Sequence, residues 1–225
     1  SAQAKPDSNG TWHIQAKVMQ ANPAFHVQLP LRIGTGQGLI DKLAPLKGRL
    51  SQPRITSKDR PIALSLDPDF NLFRKLGPTE VSPILRDVML APVVELQTLS
   101  QNLQETARTL ATRMVEKTVQ PVQKLSLQQP FILMGEQDEI DRILNRYRLP
   151  RPAFPDDVKA SARVWADKLN GQIPYIVITL KTPQNLADLL RPLPHYGKYA
   201  MLMFNAHRAV WKSTGQSQPM TVPIR

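Results

Sequence analysis

The side chains best equipped for chemistry crowd one short stretch near the end of the chain. Residues 191–199 read RPLPHYGKY and run directly into the apolar AMLMF of residues 200–204. An imidazole moves protons near neutral pH, and tyrosine hydroxyls and a lysine ammonium donate hydrogen bonds to an anion. His195, Tyr196, Lys198 and Tyr199 are therefore a candidate ligand or interaction loop. The same residues also suit a rigid lead into a strand. Pro192 and Pro194 hold the chain extended, Gly197 permits a φ that other residues resist, and Lys198 reaches water. His195 and Tyr196 are expected to pack over a sheet edge.

The rest of the chain offers little other chemistry. The four histidines are His13, His26, His195 and His207, and no two have the i,i+4 spacing that puts two ligands on one helical face. There is no His-Glu-x-x-His, so no metal site is expected from this chain alone. No G-x-S-x-G elbow occurs, and Ser213 lies in a polar tail. The glycines of IGTGQG, Gly34, Gly36 and Gly38, lack the following helix and the Lys-Ser/Thr pair of a phosphate loop, so they predict a hairpin turn. Asp67 and Asp69 of LDPDF are expected as turn residues where a strand stops at Asp-Pro. Cysteine is absent, which excludes disulfides, thiol catalysis and thiolate metal ligands.

Charge sharpens the choice of partner. The formal net charge is +11. Residues 1–75 hold 11 basic and 5 acidic side chains and residues 76–225 hold 18 and 13, so the excess is spread and not a run. A nucleic-acid face would concentrate it, and no nucleic-acid partner is expected. No stretch approaches the ~18 uninterrupted apolar residues of a membrane span. The opening SAQAKPDSNG is polar and carries no secretory signal, so the chain is expected to begin partway through a longer protein.

These side chains must be positioned by two kinds of element. In TWHIQAKVMQ, Trp12, Ile14, Ala16 and Val18 alternate onto one face, and in AFHVQLPLRI so do Phe25, Val27, Leu29, Leu31 and Ile33. Shorter, proline-interrupted pieces are expected after Gly38, then a last strand at residues 62–66. The 21 prolines, about twice the usual ~5%, punctuate many short elements. Gly77-Pro78 predicts a break, and Thr79 a cap for a helix over residues 80–87. Leu99, Leu103, Ala107, Leu110 and Met114 form one helical stripe, and residues 130–135 a strand buried on both faces. EQDEIDRILNRYR has acids in its first turn and arginines in its last, as a helix dipole favours. Asn170-Gly171 predicts a hairpin, Thr182-Pro183 a helix start, and residues 205–207 a turn between two final strands. The expected fold class is α+β or α/β. A small Ig-like β-sandwich (residues 1–75) is followed by a mixed α/β layered domain (residues 78–225).

Two stretches also carry a resemblance. Residues 66–85, LDPDFNLFRKLGPTEVSPIL, resemble a segment of bacterial zinc metallopeptidases of the aminopeptidase N-like, gluzincin type, where a β-sandwich ends in a similar run. Residues 191–211 resemble a loop-strand-strand segment close to the C-terminus of the same chains. That family's His-Glu-x-x-His, its downstream zinc-ligand Glu and its exopeptidase motif do not occur here, so no catalytic or metal residue carries over. The resemblance implies a non-catalytic, accessory C-terminal region with a structural, partner-binding or substrate-access role. It implies no cofactor in this chain, zinc in an upstream catalytic domain, and that domain or another protein as partner. It places the parent in the cell envelope or periplasm. The alternative from the residues themselves is an independent α/β ligand-binding or hydrolase domain with its site at residues 195–199.

Overall fold

The computed structural model describes residues 1–77 and 79–225. The break expected at Gly77-Pro78, and the start of the second domain at 78, involve Pro78, which lies outside the described residues. Strand outweighs helix, and the chain is a mixed α+β protein with several sheets. It divides into two compact units, Ser1–Val81 with Ser217–Arg225, and Ser82–Gln216.

The first unit holds β1 (Ala2–Pro6), β2 (Trp12–Ala16), β3 (Val18–Met19), β4 (Val27–Thr35), β5 (Gly38–Leu46), β6 (Leu50–Ser51), β7 (Arg54–Ser57) and β8 (Pro61–Leu66). One antiparallel sheet runs β1-β2-β7. In another, β4 lies between β5 and β8, and the last strand of the chain, Met220–Pro223, adds to the far side of β8. Alternation does what its period requires. Ile14 and Ala16 of β2 share one buried cluster with Leu29, Leu31 and Ile33 of β4. Phe25, expected on that face, precedes the strand and is 60% exposed.

Thr35 pairs with Gly38 across the two-residue turn of Gly36 and Gln37, so the expected hairpin forms, with Gly36 in the turn and Gly34 and Gly38 in the strands that flank it. Of the short pieces expected after Gly38, the first is longer, the nine-residue β5, and the short strands β6 and β7 follow it. Pro45 is tolerated within it because β5 is an edge strand, where one side of the backbone needs no ladder partner.

Asp67 ends β8 at φ 47°, the turn role expected, but it is also fully buried. Its carboxylate accepts from the amide of Asn71 at 2.8 Å and from Arg74 Nε at 3.0 Å. Arg74 also donates to both oxygens of the buried Glu80, at 2.9 and 2.7 Å. Asp69 is held by Arg32. The two carboxylates thus go to different arginines. The helix expected over residues 80–87 with a Thr79 cap is corrected. The Glu80 amide donates to the Gly77 carbonyl and the Glu80 carbonyl accepts from the Gln218 amide, so its backbone is used in a turn. Its carboxylate accepts from the amides of Gly77 and Met220 as well as from Arg74, and the helix starts at Leu85, beyond Pro83.

The second unit comprises α1 (Leu85–Met89), β9 (Val93–Thr98), α2 (Gln104–Met114), β10 (Thr118–Pro121), β11 (Phe131–Glu136), α3 (Gln137–Tyr147), β12 (Ala162–Leu169), β13 (Ile173–Leu180), α4 (Asn185–Leu189), β14 (Met201–Asn205) and β15 (Arg208–Ser213). Met220–Pro223 is then β16. One seven-stranded sheet runs β10-β9-β11-β13-β12-β14-β15, with its first four strands parallel. Both faces are buried. Ile132, Met134, Ile176 and Ile178 pack with Leu85, Leu110 and Leu186, while Phe131, Leu133, Tyr175 and Val177 pack with Ile140 and Leu144 of α3. The stripe read for α2 holds from Leu103 to Met114, and Leu99 stands before the helix. Asn170 and Gly171 turn the β12–β13 hairpin at φ 52° and 70°.

Candidate functional site

The loop of residues 191–199 is fixed from both ends. Leu186 and Leu189 seat α4 in the core, and a short 3-10 turn, Leu193–Tyr196, drives Leu193 into the same core. The His195 amide donates to the Pro192 carbonyl at 3.1 Å, and the Tyr199 amide to that of Tyr196 at 3.0 Å. Two further carbonyls face α1. Gly197 O accepts from the Arg86 amide at 2.8 Å and Tyr199 O from the Leu85 amide at 2.9 Å. The first amides of a helix have no partner within it, and here the loop supplies them.

Gly197 corrects the expectation placed on it. Its φ is −51°, which any residue adopts. The glycine is needed for closeness, because a Cβ there would lie 3.2 Å from Met89 Sδ and 3.5 Å from Arg86 Cβ.

The side chains of the loop make a layered arrangement. Tyr196 meets the buried Phe204 edge-on at 5.5 Å and tilts against Tyr199 at 5.6 Å. Lys198 Nζ lies 5.4 Å from the Tyr199 ring. Lys212 Nζ, from β15, lies 6.0 Å from Tyr196 and 5.7 Å from Tyr199. An ammonium over an aromatic face is attracted by the ring quadrupole. Around this pair opens a groove of about 800 Å³ lined by Arg191, Pro192, His195, Tyr196, Lys198, Tyr199 and His207.

The structure therefore brings His195, Tyr196, Lys198 and Tyr199 together, and adds two basic residues that were not among these candidates. Arg191 comes from the loop's first position, and His207 from the turn between β14 and β15. The signal that could have found the groove is local charge. After Asp188 the chain has no Asp or Glu, yet it carries Arg191, Lys198, Arg208, Lys212 and Arg225. Over residues 76–225 as a whole, the 13 acidic side chains mask this segment's excess. Among the described residues, Arg191, Lys198 and Lys212 form no ion pair. The remaining histidines lie elsewhere: His13 Nε2 is 3.1 Å from Asp7, and His26 is exposed. Among the described residues no cluster of three or more His, Cys, Asp or Glu could hold a metal ion.

Sheet topology points to a second place. The crossover helices α2 and α3 leave β9 and β11 toward opposite faces, and open sheets of this kind bind ligands outside the strand ends at such a point. Here the chain fills the crevice itself. Leu99 sits so close to Gly135 that a Cβ on the glycine would lie 3.0 Å from Leu99 Cδ1, and Ser100 Oγ donates to Glu139 Oε2 at 3.0 Å.

No protein-family model matches this chain, and no curated protein matches its sequence. The residues themselves carry the functional argument. A rigid loop presents cations and aromatic rings around an open groove, which are groups that bind, orient and neutralise.

Proposed function

We propose that the chain is a non-catalytic accessory region, an Ig-like sandwich and a layered α/β domain that act beside a metallopeptidase-like catalytic domain placed upstream. Its role is structural or in the binding of a partner or the shaping of substrate access. By the same resemblance, zinc belongs to the upstream domain and the parent to the cell envelope or periplasm.

One observation carries this reading. Leu85, the last residue of the first stretch that holds the resemblance, donates its amide to Tyr199 of the second, and Arg86 to Gly197 adjoins it, both within the second unit. The distinctive residues of the two stretches are used for architecture. Asp67 and Glu80 clamp Arg74, Leu193 is core, and Gly197 admits α1. Residues so committed explain a shared sequence pattern without a shared active site.

The groove favours the binding half of the alternative reading, an independent ligand-binding or hydrolase domain at residues 195–199. Cations and rings are what its lining supplies. An assay of the purified protein on aminoacyl-arylamide substrates separates the two readings. The accessory reading expects no cleavage above buffer, and cleavage abolished by His195→Ala would overturn it.

A further inference from the structure

We infer that the groove beside Tyr196 and Tyr199 takes an acidic peptide segment of a partner protein, its carboxylates held by Arg191 and Lys198 and by the imidazoles of His195 and His207. This names the partner chemistry of the accessory reading. It rests on the groove's charge and shape, so it stands or falls separately from any claim about an upstream catalytic domain.

Every ionisable side chain among the lining residues other than tyrosine is basic or a histidine. No acid follows Asp188 in the sequence, so the hairpin of β14 and β15 adds only Arg208 and Lys212 to the field. Like charges gathered without counter-ions repel, and a ligand bearing carboxylates relieves that repulsion. Arg191 presents a planar fork that matches a carboxylate, and Lys198 a mobile point charge.

A volume of about 800 Å³ lies within the range of ligand grooves. The loop is tied to α1 by two backbone hydrogen bonds, and Tyr196 is pinned on Phe204. Little is left to order on binding, which lowers the cost of association. Tyrosine and arginine are also the side chains that most often anchor protein interfaces.

The same features disfavour the other polyanions. Base stacking needs open ring faces, but Lys212 lies over both tyrosines and Lys198 over Tyr199. A bilayer is flat on this scale, and amphipathic surfaces that bind it offer a protruding apolar face, whereas the rings here line a concavity.

The test is fluorescence anisotropy with a labelled Glu/Asp-rich peptide, against a peptide of the same length with Gln and Asn in place of the acids. The acidic peptide should bind and the neutral one should not. The double variant Arg191→Glu/Lys198→Glu should weaken binding by about tenfold or more. Arg54→Glu/Lys58→Glu, an equal change of net charge on exposed residues of the first unit, should leave binding within about twofold. Circular dichroism of both variants checks that they are folded. If the groove variant is unfolded, Lys198→Gln and His207→Gln, at exposed positions, give the same comparison at smaller amplitude. No binding of the acidic peptide, equal weakening by the two double variants, or preferential binding to phosphatidylserine vesicles or a single-stranded oligonucleotide would each overturn the inference.

Discussion

The amide of Leu85 donates to the carbonyl of Tyr199 at 2.9 Å, joining the first turn of α1 to the loop that precedes β14 across more than a hundred residues of sequence. Arg86 and Gly197 repeat the contact at 2.8 Å. A helix of five residues has little stability of its own, and its start is completed from outside. The loop that positions His195 and Lys198 is therefore part of the fold's framework.

Gly197 gives the first prediction. Its backbone suits any residue, so the effect of substitution comes from contact with Met89 and Arg86. Gly197→Ala asks Met89 to move by a few tenths of an ångström and should change stability by at most about 1 kcal/mol. Gly197→Val should cost about 2 kcal/mol, as overpacking does. Urea denaturation of both variants checks the grading.

The Asp67–Arg74–Glu80 cluster gives the second. Arg74 lies between two carboxylates that are 0% and 1% exposed. Arg74→Ala leaves both without their counter-ion and should cost about 3 kcal/mol, as breaking a buried pair does. Thermal unfolding of the variant beside the wild type measures the loss.

The same cluster sets a pH dependence. The hydrogen bonds from Arg74, helped by the amides of Gly77 and Met220, pull the Glu80 carboxyl from 4.5 down to about 2, against the opposing effect of burial. A folded-state value below the unfolded one adds stability that is full above pH 4.5 and is lost as the pH falls through about 2. Glu80→Gln should be less stable than wild type at pH 7, with the gap closing between about pH 4.5 and 2. Denaturation midpoints across that window test it.

Gly135 gives a further prediction, at the crevice between the ends of β9 and β11. A methyl group there would lie 3.0–3.2 Å from three side-chain atoms of Leu99. Gly135→Ala should cost about 1–3 kcal/mol. Combining it with Leu99→Ala should recover part of the loss, so a double-mutant cycle would show coupling between the two.

Much of the framework was legible because period and turn chemistry agreed. The β12–β13 hairpin follows from Asn170-Gly171, and α3 from acids at its start and arginines at its end. β9 is hard to bound from sequence because Glu95 and Gln97 interrupt its apolar run, and both are buried with partners distant in sequence: Glu95 accepts from the Ser126 amide and Gln97 donates to the Gln123 carbonyl. β16 carries no alternation strong enough to announce it, and what holds it is pairing with β8 and the Glu80 contact. The sequence reading gave residues 78–225 to one domain, while the contacts of Ser217–Arg225 lie with the first unit. For the groove, four residues were legible as one contiguous loop. His207 was not, because a hairpin turn brings it there from outside that loop.

The most direct test of the accessory reading is zinc content by elemental analysis of the purified chain, beside a longer chain that adds the proposed upstream domain. Zinc is expected at one per chain in the longer form alone. Stoichiometric zinc in the present chain, lost on His195→Ala or His207→Ala, would contradict it and make the groove a metal centre.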